Sequence, residues 1–262
     1  MKRNIALMCD YGLDDALATL YLFEHRDMFE KIDILAISGN FLVEDTFVNT
    51  KRLLSNIAPE KTRGVRIVDT RRVAQKGTAI PEIHGNDGMG DVLPMEYDDS
   101  FEVIQYDEWL NELDSSYTVL SVGPCSVTID ILNKKGELPL IMMAGNIAEP
   151  PNYNGYEFNH GIDLEAFAET VKYPHVIATL DTCHSPYCNL RTFDYPKEGI
   201  FGKMLNRYFE LCDGRGEEVI SVYDLTAIVY LIYPDRFTVE SRVDKLGNKL
   251  NVLKYIAEKP II

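Results

Sequence analysis

Basic charge is scarce in this sequence: 26 Lys and Arg stand against 41 Asp and Glu, for a net charge of −15. Gripping nucleic acid or an anionic membrane takes clustered Lys and Arg to neutralise phosphates, so neither is expected as the main partner. Long apolar runs are missing too. The apolar stretch after the opening Met-Lys-Arg-Asn breaks at Asp10, too short for a signal core or a membrane span, and no later stretch approaches a span. Cysteine is present only as an odd five, without the spacing of a disulfide framework, which fits reduced thiols in a cytoplasmic protein. Cys183-His184 with Cys188 would suit zinc only beside a second soft-ligand pair at a usual spacing, and no such pair occurs. Low-complexity segments, repeats and linkers are lacking as well, so one domain over 1–262 is expected.

What is there is a globular profile, 46% hydrophobic and 26% charged, in a chain long enough to bury a sizeable core. Short apolar runs at 5–9, 32–37, 65–69, 117–122, 138–143 and 176–180 read as strands. Amphipathic stretches at 14–24, with Ala16, Leu20 and Phe23 on one side, and at 44–57, 126–133, 202–211 and 225–233 read as helices. Strands alternating with helices predict an α/β fold: a mostly parallel central sheet flanked by helices, with ligands at the carboxyl ends of the strands. Three loops are longer than usual, at about 70–100, 146–161 and 181–198, and long loops in such a fold are often binding loops.

Four segments carry possible chemistry. In Cys9-Asp10-Tyr11-Gly12-Leu13-Asp14-Asp15-Ala16, a buried strand runs into a turn with three carboxylates within six positions. Gly12 permits the sharp turn. Asp14 and Asp15 open a helix, where negative charge is favoured, so simple capping is one reading of them. Asp10 points further: a third carboxylate there is repelled by its neighbours unless a cation lies between, and an all-oxygen donor set suits Ca2+ or Mg2+ over zinc. The second segment, Ile83-His84-Gly85-Asn86-Asp87-Gly88-Met89-Gly90, reads alone as a glycine-rich turn. The third runs Glu157-Phe158-Asn159-His160-Gly161-Ile162-Asp163, with Asp163 as a helix cap and Glu157 and Asn159 free to meet a sugar hydroxyl. The fourth is Val222-Tyr223-Asp224-Leu225-Thr226-Ala227, where Asp224 by itself reads as a cap.

Taken in order, these segments closely resemble the nucleoside hydrolase family. It has an aspartate-rich turn ending in Gly-x-Asp-Asp, a His-Gly-x-Asp-Gly turn, a Glu-Phe-Asn loop, and a late helix opening with Asp. Ser38-Gly39-Asn40 with Asn49, and Gly123-Pro124-Cys125-Ser126, support the likeness, which runs from about residue 5 to about 235. The resemblance implies a Rossmann-like open sheet and Ca2+ held by Asp10, Asp15, Asp224 and the main-chain carbonyl of Ser126. It implies that Asp10 takes a proton from a water on that ion, that Asp14, Asn40, Glu157 and Asn159 grip the ribose, and that His84 lies near the substrate. The implied reaction cleaves a ribonucleoside or related N-riboside to ribose and free base, through an oxocarbenium-like state. Relatives are often homodimers or homotetramers, so a homo-oligomer is expected by analogy.

Several positions depart from the family pattern, leaving the metal and ribose half of the site intact and the base-recognition half changed. Met8 replaces a family Asp, Tyr11 a Pro, Val127 an Asn and Ala144 a Gly; a Gly-Asn pair before Glu157 is missing, with Asn152 or Asn154 as substitutes. Tyr223 stands where many members have the His that protonates the leaving base, and an ordinary Tyr, with pKa near 10, is a poorer acid. Tyr223 can still donate a hydrogen bond or stack on a base; His84 and His160 are alternative acids. The competing class is a non-catalytic ribose- or nucleoside-binding protein on the same scaffold. An aspartyl phosphatase ranks low, because Gly12 fills the place of its second acid.

Overall fold

The computed structural model describes residues 2–262 apart from 193, 194 and 196. In chain order, β1 (Arg3–Cys9) leads into α1 (Leu13–Glu24), β2 (Phe29–Ala36) into α2 (Val43–Ser55) and α3 (Pro59–Thr62), and β3 (Val65–Asp69) into the single turn α4 (Pro81–His84). Next come β4 (Glu102–Gln105), α5 (Tyr106–Glu112), β5 (Tyr117–Ser121), α6 (Ser126–Lys135), β6 (Leu140–Met143), α7 (Phe158–Ile162) and α8 (Leu164–Thr170). The chain continues through β7 (Val176–Ala178), α9 (Leu180–Cys183), α10 (Gly199–Gly214) and α11 (Tyr223–Ile232), and closes with the hairpin β8 (Phe237–Val243) and β9 (Lys249–Tyr255).

The strands form a nine-stranded sheet ordered β4-β3-β2-β1-β5-β6-β7-β9-β8. Every pairing is parallel except β8 with β9. Parallel strands covered on both faces read as unbroken apolar runs, and β1 shows why: Ile5, Leu7 and Cys9 enter one core while Ala6 and Met8 enter the other. The first core is sealed by α1, whose residues from Leu13 to Leu20 are all buried, together with α10 and α11. The second core is built around Trp109, Val119, Ile131 and Phe167 from α5, β5, α6 and α8. Buried Asp33 of β2 ties the sheet to this face, accepting two bonds from Arg66 and one each from the Trp109 indole and the Tyr117 hydroxyl.

The chain builds outward from β1 to β4, then returns to β5 on the other side of β1. The carboxyl ends of β1 and β5 therefore flank a topological switch point, where open α/β sheets place their ligands.

Some expected elements move. The strand expected at 176–180 stops at Ala178, because Thr179 and Thr182 form a capping box that starts α9 at Leu180. The helix expected at 225–233 begins at Tyr223 with Val222 as its cap, so Asp224 lies in the first turn and does not cap it. The short edge strand β4, helix α5 and the β8–β9 hairpin come from stretches without a clean apolar period; β8 has one fully buried residue, Phe237. The long 181–198 loop includes residues 193, 194 and 196, outside the described residues, and elsewhere carries single helical turns at Pro186–Cys188 and Leu190–Thr192. Among the described residues, no helix is long and apolar enough to cross a membrane.

Candidate active site

The turn after β1 is organised by Asp15. Its carboxylate accepts the backbone N–H of Gly12 at 2.8 Å and of Asp10 at 3.1 Å, which fixes the entry into α1. It also accepts the Asn40 side-chain amide at 3.2 Å. Capping is thus a real role of Asp15. Gly12 is required by its surroundings, since a Cβ there would lie 2.6 Å from the His84 ring.

Asp10 is clamped between two loops at the switch point. Its Oδ2 accepts the Asn40 backbone N–H at 2.6 Å. A Cβ on Gly39 would fall 1.9 Å from Asp10 Oδ2, and one on Gly123 would fall 2.7 Å from Oδ1. The glycines after β2 and β5 are therefore what let a carboxylate sit at this point.

Asp14, Asp15 and Asp224 come together although Asp224 lies far along the chain: one oxygen of each is within 4.8 Å of the other two. The tightest trio thus contains Asp14, whereas the ligand set expected from the sequence has Asp10 in that place. Asp10 is nonetheless close enough to repel Asp15 and Asp224 and raise their pKa values. All four carboxylates are buried. Burial pushes the Asp10 carboxyl up to about 7 and raises Asp15 and Asp224 well above the usual carboxylate range, with mutual repulsion adding to each. No Lys or Arg ion pair compensates Asp10, Asp15 or Asp224 among the described residues. Oδ1 of Asp10 and Oδ1 of Asp14 are buried without a hydrogen-bond partner. Uncompensated negative charge with unused oxygen lone pairs fits a hard divalent cation.

The remaining expected residues separate into groups. Asn40 is buried beside Asp10 and Asp15. Glu157 caps α7, accepting the N–H groups of Gly145, Asn159 and His160 at 2.7, 2.9 and 3.0 Å; burial still lifts its carboxyl to about 7. The Asn159 amide donates to the carbonyls of Val122 and Met143, pinning α7 across the ends of β5 and β6. His84 accepts the Leu13 N–H on Nδ1 at 3.1 Å. The Asp14 oxygen 3.6 Å from that same nitrogen is therefore no ion-pair partner: the ring is the neutral tautomer, and burial lowers its pKa. The Ser126 hydroxyl turns away from the carboxylates to Asp163, itself paired with Lys76. His160 stacks 3.9 Å from Phe167, outside the cavity walls. In the glycine-rich turn, Asp87 pairs with Arg52 and its carbonyl holds Asn49, so that segment braces His84 against α2.

Asp14, Asn40, His84, Glu157, Asn159, Tyr223 and Asp224 line a cavity of about 380 Å³; Asp10, Asp15 and Ser126 are not among its walls. Asn152 also lines it, while Asn154 sits in a turn at φ 44°. The far wall holds Tyr208, Arg215 and Glu217 from the end of α10, which no motif singled out because they read as an ordinary amphipathic helix end. A wider cleft of about 740 Å³ opens at the amino ends of β1, β5, β6 and β7, near Arg3 and His175, without a carboxylate cluster.

The sequence matches the family model described as "Inosine-uridine preferring nucleoside hydrolase" over residues 5–251. It is 24% identical to the pyrimidine-specific ribonucleoside hydrolase RihB of Shigella flexneri over 258 residues, covering 89% of this chain and 80% of that one. The fold is similar to that of a purine-preferring ribonucleoside hydrolase from Gardnerella vaginalis, with a TM-score of 0.75, 18% identity, and coverage of 97% of this chain and 93% of that one. It is also similar to a plant nucleoside hydrolase, with a TM-score of 0.74, 20% identity, and coverage of 97% and 87%. A family match over nearly the whole chain, with Asp14 of the acidic turn, the late Asp224 and the Glu157–Asn159 loop around one cavity, shows that this protein belongs to the nucleoside hydrolases, enzymes that cleave the N-glycosidic bond of ribonucleosides.

Proposed function

We propose that the protein hydrolyses a ribonucleoside or related N-riboside to ribose and free base, with Ca2+ held by Asp10, Asp15, Asp224 and the main-chain carbonyl of Ser126. The observation that carries this reading is the buried, uncompensated Asp14–Asp15–Asp224 trio beside an Asp10 oxygen that lacks a partner. When bound, the cation supplies Lewis acidity that lowers the pKa of water beside the sugar. Asp10, buried and lifted towards neutrality, takes the proton of the attacking water. Asp14, against the trio and on the cavity wall, is placed to hold the sugar diol, with Asn40 and Glu157 on the remaining hydroxyls. Positive charge that develops on the ribose ring meets a wall of carboxylates. Five free, buried cysteines suit a reducing cytoplasm.

Ribose release from a panel of purine and pyrimidine nucleosides, measured with chelator and again with Ca2+ restored, tests the reading. Release that needs the ion supports it; no turnover of any nucleoside with Ca2+ present counts against it. A second reading, nucleoside binding without turnover, draws on Tyr223, whose phenol burial pushes up and makes a weaker acid. Calorimetry showing binding in the absence of product selects that reading.

A further inference from the structure

Tyr223 lines the cavity, but behind it lies a hydrogen-bonded His–Glu pair that does not. His184 Nε2 is 3.4 Å from the Tyr223 hydroxyl, and His184 Nδ1 is 2.9 Å from Glu149 Oε2. The pair is held in place. Asp181 accepts the N–H groups of Ile147, Ala148 and Glu149 at 2.7, 2.8 and 3.1 Å, and Asn146 donates to the Glu149 carbonyl. Asp181 lies within α9 and His184 is its C-cap, so one short helix fixes both the glutamate loop and the imidazole. A half-exposed His–Glu pair contributes little to stability, with side chains 28% and 37% exposed, so folding alone gives no reason for this arrangement.

We propose that Glu149, His184 and Tyr223 form a proton relay to the departing nucleobase, which rests on the hydrolase reading above. As the C1′–N bond breaks, its electron pair stays on the base nitrogen. The Tyr223 O–H proton passes to that nitrogen, and the His184 Nε2 proton passes to the Tyr223 oxygen. Tyr223 ends as neutral as it began. Glu149 stabilises the imidazolium before transfer, and the exposed ring takes its next proton from solvent. Water supplies hydroxide to C1′ and its other proton to Asp10, so the sum is N-riboside plus water giving ribose plus protonated base. His184 acts through Tyr223 and is a positioning and proton-supplying residue; Tyr223 alone touches substrate.

The test compares a nucleoside, whose base needs a proton to leave, with 4-nitrophenyl β-D-ribofuranoside, whose leaving group departs as a stable anion. His184→Gln and Tyr223→Phe are expected to lose about 100-fold in kcat on the nucleoside. Glu149→Gln, on a half-exposed loop that leaves folding intact, is expected to lose about tenfold, within the modest range of a partner acting through His184. His184→Gln and Glu149→Gln, which do not line the cavity, should stay within about threefold of the parent on the nitrophenyl riboside, with KM little changed. Equal losses on both compounds, or no loss on either, overturn the relay. A parent protein inactive on both compounds overturns the hydrolase reading itself.

Discussion

Removing divalent cations should destabilise this protein, and the loss should grow as pH rises. Asp10 has its carboxyl lifted from an ordinary 3.8 to about 7, and Glu157 from 4.5 to about 7, chiefly by burial. At 1.36 kcal/mol for each tenfold change in proton affinity, holding Asp10 ionised without a cation costs about 4 kcal/mol, and Glu157 about 3. The sign follows from proton binding. Between the unfolded and folded pKa values the folded state holds more protons, so stability is full below about pH 4 and falls as pH rises through about 7. A cation among Asp10, Asp15 and Asp224 replaces the protons and offsets that loss. At 100 times its dissociation constant it adds about 2.7 kcal/mol, which for a chain of this size is about 5–10 °C in Tm. Thermal melts at about pH 5 and about pH 8, in chelator and in millimolar Ca2+, measure it. The expected result is a large calcium shift at the higher pH and a small one at the lower. A shift that is absent at the higher pH, or equal at both, refutes the argument that these carboxylates share an ion.

Three further outcomes follow from named contacts. Asp224→Asn removes one charge from a buried repulsive cluster, so its ion-free Tm should rise by a few degrees while calcium affinity, read by calorimetry, falls about 100-fold. Gly39→Ala and Gly123→Ala each drive a methyl into the Asp10 carboxylate, at 1.9 and 2.7 Å, and should cut kcat/KM about 100-fold with an unchanged far-UV spectrum. Asp33→Ala leaves the Trp109 indole and Tyr117 hydroxyl without their acceptor in the second core and Arg66 with Glu112 alone; a loss of about 3–5 kcal/mol in denaturant unfolding is expected, with kcat unchanged at permissive temperature.

Strands β1, β2, β3, β5, β6 and β7 were legible because they are short apolar runs, with clear stops such as those at Cys9-Asp10 and Val122-Gly123. The β8–β9 hairpin was not, since an edge strand with a single fully buried residue leaves no apolar period to read. At the site, residues in tight turns announced themselves: Asp10 through its glycine neighbours, Glu157 and Asn159 through their loop. Tyr208, Arg215 and Glu217 did not, because α10 reaches the cavity only through the tertiary packing that brings its end beside Tyr223. His184 drew notice only beside Cys183, as a metal ligand. Its partner Glu149 lies 35 positions away in a loop that Asp181 brings near.

Capping and cation binding looked like rival explanations of Asp14 and Asp15, and Asp15 shows why they are not. An ionised carboxylate has about four lone-pair positions, and three donors from Gly12, Asp10 and Asn40 bond to Asp15. Those bonds, with the positive end of α1, favour the charged form against the burial that opposes it. They do not remove repulsion from Asp10 and Asp14, or the mutual repulsion with Asp224. The cap therefore fixes where Asp15 points, and the excess charge that remains creates the demand for a cation. A strand that ends in Asp10, turns at Gly12 and starts a helix on Asp14-Asp15 is for this reason both a fold boundary and half of a binding site. Asp224, brought in by α11 packing on α1, completes it.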